Sequence, residues 1–216
     1  MNKFAIDYRN QIFALPGIGA ASAAVQEIKT ELIRKSIHLL IALTPTMAAI
    51  NRPVTVLLLM LGTVSYAFME HLRLSGVHIP VISSVTAMAS RSRDQGRFVL
   101  GPVTLGLGAL LALLLYPSPA AAIAIYALAF GDGLASLIGK IFGSIRPAFL
   151  MGKSVEGSLA CFTAVFFAAY HISADFRIAF FAAITAALVE ALPLNDYDNI
   201  ALPLSVGFVV QLLMIV

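Results

Sequence analysis

The chain has 216 residues, 60% of them hydrophobic and 12% charged, with a net charge of +3 and a mean hydropathy of +0.93. A soluble domain carries about 25% charged residues, so the composition excludes one and predicts an all-α, polytopic integral membrane protein. No dense basic run is present to bind nucleic acid, and the single cysteine, Cys161, can form no internal disulfide.

Met1–Ile18 reads as a surface segment. Lys3 and Arg9 imitate the basic start of a signal peptide, but Asp7, Arg9, Asn10 and Gln11 interrupt the apolar run. From Gly19 the spacing of Val25, Ile28 and Leu32 predicts an amphipathic helix at the membrane interface. Residues 1–35 are therefore expected to form the surface segment and interfacial helix, and residues 36–216 the transmembrane bundle. The interfacial helix runs without a breaker into a first span near Ser36–Ile50. Glu31, Arg34, Lys35 and His38 share one helical face at that entry point.

Asn51-Arg52-Pro53 predicts a tight turn, and a second span runs to about Phe68. The long connection Leu74–Val99 contains a short apolar piece, Val77–Met88, that suits a re-entrant or interfacial element. Gly101-Pro102 opens a third span, as proline suits a first helical turn. The fourth, Ala121–Phe142, holds Phe130–Gly143, FGDGLASLIGKIFG. Here Gly131, Ala135, Gly139 and Gly143 form a small-residue face, and Asp132, Ser136 and Lys140 a polar stripe beside it. After the loop Gly143–Lys153, spans are expected at about Val155–Ile172, Phe176–Leu192 and Ile200–Val216, about seven in all. The seventh is short for the ~20 residues a span needs.

Seven spans put Lys3, Arg9, Lys29, Arg34, Lys35, Arg73, Arg91, Arg93, Arg97, Lys140, Arg146 and Lys153 on one side, with Arg52 and Arg177 opposite. The positive-inside rule then makes the N-terminus cytoplasmic and the C-terminus external. The protein is expected to be multi-pass, in the cell inner membrane or, in a eukaryote, the endoplasmic reticulum. The acidic loop Pro193–Asn199 breaks the basic pattern of that face, which marks it as a candidate for cation binding.

The same face gathers Arg34, Lys35, His38, Arg73, Lys140 and Lys153 with Glu70, Asp132, Glu156, Glu190, Asp196, Asp198 and Asn199. Carboxylates hold a hard cation such as Mg²⁺, and basic groups hold phosphates. Plainer roles stay open for most of them. Arg34 and Lys35 suit ordinary interface anchors, Glu70 and Arg73 a surface ion pair, Ser154 and Glu156 a helix start, and Asp198-Asn199 a turn. Asp132, a carboxylate within a span, is the residue least suited to a plain role.

Arg34-Lys35-x-x-His38, Glu70-x-x-Arg73, Gly101-Pro102-x-Thr104, Phe130-Gly131-Asp132-Gly133-x-Ala135 with Gly139 and Gly143, Lys153-Ser154-x-Glu156-Gly157-Ser158, and Glu190 with Asp198-Asn199 and Pro203 follow one another in the chain. Together they resemble the polytopic CTP-dependent lipid kinases: dolichol kinase, phytol kinase and the CTP-dependent diacylglycerol kinase. The resemblance covers about Glu31 to Pro203. It implies CTP as donor, a lipid alcohol as acceptor (a polyprenol or phytol first, diacylglycerol next) and a divalent cation. The expected catalytic residues are Asp132, His38 and Lys153. The expected nucleotide ligands are Arg34, Lys35, Lys140, Lys153, Ser154 and Glu156, and the Mg²⁺ ligands Asp132, Glu190, Asp198 and Asn199. Glu70, Arg73, Thr104, Gly131 and Gly133 are expected to support them.

Three rival readings stand beside this one. A phosphatidate cytidylyltransferase also uses CTP in the membrane, but its Pro-Gly-His-Gly-Gly run is absent from this sequence. A small transporter would use intramembrane Asp132. A scaffold would use the small faces, which also make an oligomer feasible. Lys140 lies at the cytoplasmic end of its span, with Asp132 about 12 Å deeper at 1.5 Å per residue. Phosphates reach Asp132 only if water enters the bilayer there or the helix breaks near Gly131–Gly133.

Overall fold

The computed structural model describes residues 16–77, 79, 80, 86, 94 and 96–215, with side chains from Val25 onward. Most of Val77–Met88, Arg91, Arg93 and the first fifteen residues lie outside the described residues. Among the described residues the chain is helical, without a β-strand. The elements are α1 (Pro16–Leu39), a 3₁₀ turn (Leu40–Leu43), α2 (Thr44–Leu74), α3 (Gly101–Leu115), α4 (Ala120–Ile141), α5 (Val155–Ser173), α6 (Phe176–Ala191) and α7 (Asp198–Ile215).

Four helical runs are long and apolar enough to cross a membrane: Val25–Leu74, Ala120–Ile141, Val155–Ser173 and Asn195–Ile215. The expected first and second spans fall within the first of these. Asn51 breaks it, with φ −153° and ψ 95° inside α2. Its Oδ1 accepts the amide of Val54 at 3.1 Å, so Asn51 caps a fresh helix whose early turn tolerates Pro53. The expected third and sixth spans are helices of 15 and 16 residues, shorter than the ~20 that crosses hydrocarbon unaided.

Packing follows side-chain size. α5 lies along α4 and α6, α6 along α7, and α3 between α2 and α7. The small face of α4 meets α5 as its spacing predicts. A methyl group at Gly131 would stand 2.8 Å from Val165 Cγ2, and one at Gly157 would stand 2.8 Å from the carbonyl oxygen of Ala135. At Gly157 the contact is backbone against backbone, available only where side chains are absent, and at Gly131 the Val165 side chain fills the space. Away from this seam the core is alanine-rich, with Ala127, Ala169, Ala182, Ala183 and Ala186 fully buried. At the α3–α4 corner Arg52 donates to the carbonyl oxygens of Leu113 and Tyr116, and the Tyr116 hydroxyl donates to Leu204 O at 2.7 Å.

α4 is not uniform. Ala127–Asp132 forms a π-helical turn, followed by regular helix from Gly133 to Ile141. Such turns insert one residue and recur at functional sites. The helix does not break beside Gly131 and Gly133; it runs on through them with a π turn that ends at Asp132.

Gly157→Ala is expected to destabilise the fold by about 1–3 kcal/mol, because the added methyl meets main chain that cannot rotate away. Gly62 has open space around it, so Gly62→Ala serves as the control, expected to be neutral or stabilising by up to about 1 kcal/mol. Chemical denaturation of both variants in micelles checks the difference.

Candidate active site

The helical spacing of Glu31, Arg34, Lys35 and His38 aims all four at α4. Glu31, Lys35 and His38 are buried, and Lys35 is fully so. A buried ammonium needs a counter-charge. The Lys35 ammonium meets the Asp132 carboxylate in a close ion pair on Oδ2. His38 Nε2 lies 3.4 Å from the same oxygen and 2.9 Å from Leu128 O. A carbonyl only accepts, so Nε2 carries the proton and donates it into the π turn. Oδ1 of Asp132 accepts no hydrogen bond from the described residues.

In front of this pair opens a cavity of about 330 Å³. Its lining includes Arg34, Asp132, Ser136, Lys140, Arg146, Lys153, Ser154, Glu190 and Asp198. It runs from Lys140 inward to Asp132, so the deep carboxylate is reached through a polar recess. Lys153 follows two left-handed residues, Met151 and Gly152, which turn the chain into α5. Ser154 caps that helix, accepting from the amide of Gly157 at 3.1 Å. Lys153 Nζ is 2.7 Å from Glu190 Oε1, and Ser158 Oγ is 3.3 Å from Oε2. Burial works against the charge of Lys153, but the Glu190 carboxylate outweighs it and holds the ammonium pKa above the ordinary lysine value. Asp198 makes no ion pair among the described residues. Arg146 donates to Gly139 O and Gly152 O, both at 2.7 Å, and ties the 143–153 loop over the end of α4.

Other expected site residues lie elsewhere. Lys35 and His38 stand behind Asp132 and do not line the cavity. Glu156 is taken by its own loop, accepting from the amides of Ser144 (2.9 Å) and Ile145 (3.1 Å). Asn199 turns to α3, donating to Thr104 Oγ1 at 3.0 Å and Gly101 O at 3.3 Å. Glu70 takes two bonds from Arg73, at 2.7 and 2.8 Å, and one from the amide of Val99 at 2.9 Å. This clasp anchors the strap that leads into α3, away from the cavity. Gly131 lies inside the π turn and Gly133 just after it.

Sequence reasoning passed over three residues of the site. Glu31 shares the face of Arg34 and Lys35, a signal that was visible. Ser136 sits in the polar stripe of α4. Arg146 counted only as a charge that sets orientation, and nothing in its spacing places it at the cavity.

No family profile matches the chain, and no solved structure does. Two curated plant proteins do match. The chain is 28% identical over 151 residues to "Probable phytol kinase, chloroplastic" of Triticum aestivum, covering 62% of this chain and 49% of that one. It is 30% identical over 144 residues to "Probable phytol kinase 1, chloroplastic" of Glycine max, covering 58% and 46%. The chain thus spans about half the length of the curated relatives it matches. The likeness to the lipid-kinase family read from the motifs is borne out by these two relatives.

Lys35→Met is expected to lower stability by about 3–5 kcal/mol, because it strands a buried carboxylate. Combining it with Asp132→Asn removes both charges and should restore most of that loss. A denaturation double-mutant cycle measures the recovery. For the same reason Asp132→Asn alone would disturb folding as well as chemistry.

Asp198, which has no ion pair to lose among the described residues, is the cleaner carboxylate to remove when activity is the question.

Proposed function

We propose that this chain is a multi-pass membrane kinase that moves the γ-phosphate of CTP onto the hydroxyl of a lipid alcohol. An isoprenoid alcohol, a polyprenol or phytol, is the first choice of acceptor, and diacylglycerol the second. The observation that carries the reading is one cavity lined by Arg34, Lys140, Arg146 and Lys153 together with Asp132 and Asp198. The names of the two plant relatives add weight to the class of acceptor.

The donor set fits a nucleotide-borne Mg²⁺. Among the described residues no three His, Cys, Asp or Glu side chains are gathered as a ready-made cage. Mg²⁺ characteristically uses one or two carboxylates plus substrate phosphates and keeps several waters. Asp198 and Asp132 would hold it, and when bound it would offset charge on the transferring phosphoryl group. Glu190 is engaged by Lys153, and Asn199 by Thr104. They enter as supports of those two residues.

The protein's own part is positioning. Arg34 lines the cavity and offers a planar fork to phosphate oxygens. Lys140, Arg146 and Lys153 line the same cavity as further cations. Lys35 holds Oδ2 of Asp132 and leaves Oδ1 for the cation, while His38 donates to Leu128 O behind it. The lipid tail would lie between helices while its hydroxyl reaches the recess. In this reading the helix runs make seven passes, with the basic loops and the site on the cytoplasmic face.

Purified protein in nanodiscs should transfer label from CTP, in preference to ATP, to one member of a panel of lipid alcohols, and EDTA should stop it. Asp198→Asn should reduce turnover by about 100-fold or more, as loss of a charge-stabilising group does, with an unchanged unfolding midpoint. No transfer from either nucleotide to any acceptor would overturn the proposal.

A further inference from the structure

Glu31 is 1% exposed and does not line the cavity, yet it is bonded to three residues that do. Its Oε1 accepts from the Arg34 guanidinium and from Ser136 Oγ at 2.6 Å. Its Oε2 lies 3.1 Å from Lys140 Nζ. Arg34 stands one turn further along α1, while Ser136 and Lys140 occupy successive turns of α4. One carboxylate therefore sits behind a wall of donors drawn from two helices and fixes how each of them faces the cavity.

The consequence is clearest at Arg34. Nη2 is committed to Glu31, which sets the plane of the guanidinium fork, and Nε is buried with no hydrogen-bond partner among the described residues. A buried N–H without an acceptor is costly. The guanidinium reaches the cavity wall through its outer nitrogens, since Nε itself is shielded. Lys140 is held at one of its three donors, on a side chain that is 36% exposed and would otherwise be free to swing into water.

We infer that Glu31 is a positioning residue that aims Arg34 and Lys140 at the polyphosphate of the nucleotide. This rests on the kinase reading above. A different role is available: Glu31 could simply dock α1 on α4. The two roles differ in sign at the nucleotide. A negative charge a few ångströms behind a polyanion site repels the ligand, so deleting it without disturbing the cations should tighten binding. If Glu31 positions those cations, deleting it weakens binding despite the relief of repulsion.

The test is binding of MgCTP and MgATP by calorimetry to full-length protein in nanodiscs, beside steady-state kinetics. Glu31→Gln keeps the shape and removes the charge. It should weaken binding of the preferred nucleotide about tenfold, the loss expected for a charge-assisted hydrogen bond, with the KM for the lipid alcohol unchanged. Glu31→Asp keeps the charge but draws the carboxylate back by one methylene, and should fall between Glu31→Gln and wild type without a change in melting temperature. Nucleotide binding by Glu31→Gln as tight as wild type or tighter would overturn the inference. So would wild-type binding in Glu31→Asp, which decides the matter if Glu31→Gln does not fold. Wild-type protein that binds neither nucleotide would instead remove the kinase reading itself, and this inference with it.

Discussion

The ion pair between Lys35 and Asp132 is the constraint on which the rest of the arrangement depends. Both groups are almost wholly buried, and neither charge could remain there without the other. Lys35 can reach Asp132 only if α1 lies against α4 at that level. Docking α1 there brings Arg34 to the cavity wall and His38 to Leu128 O. The π turn belongs to the same arrangement. It ends at Asp132, so Asp132, Ser136 and Lys140 keep the regular spacing of one helical face. The register shift falls instead on Ala127–Phe130, where the backbone is buried and His38 supplies a donor.

The charges in front of the pair form a second layer. Arg34 and Lys140 share Glu31, Lys153 is matched by Glu190, and Arg146 is held by main-chain carbonyls. Each cation is oriented before any ligand arrives, which is the condition for electrostatic catalysis without reorganisation. The polar groups lead inward from one face toward a core of buried alanine, valine, leucine and isoleucine.

Much of this was legible in the sequence for physical reasons. Apolar runs and the breakers at Pro53, Pro102, Pro147 and Pro193 mark the helices, because hydrocarbon burial and a missing backbone N–H act locally. Helical spacing put Glu31, Arg34, Lys35 and His38 on one face, and the glycines of α4 on another that packs as expected against α5. What spacing could not supply was partnership. Lys35 was expected to hold phosphate and instead neutralises Asp132. Glu156 was expected at the nucleotide and binds its own loop, and Asn199 was expected at the metal and bridges to Thr104. Each of these choices depends on distances between residues far apart in the chain. The number of membrane passes was similarly underdetermined, since composition cannot distinguish a helix that spans from one that stops short.

Those short helices bear on how a polyanion could reach a carboxylate inside an apolar bundle. α3 and α6 have 15 and 16 residues, roughly 22–24 Å at 1.5 Å per residue, several ångströms less than the hydrocarbon core of about 30 Å. Their site-side ends are Gly101 and Ala191, beside the start of α7 at Asp198. At the end of α6, Glu190 meets Lys153, and together with Pro193, Asn195 and Asp198 it lines the cavity that descends to Asp132. Asp132 is thus deep when measured along α4 but shallow when measured from the floor of the recess. In the proposed kinase, phosphates would not have to cross hydrocarbon, since the cavity that leads to Asp132 is lined by Arg34, Lys140, Lys153 and other polar side chains.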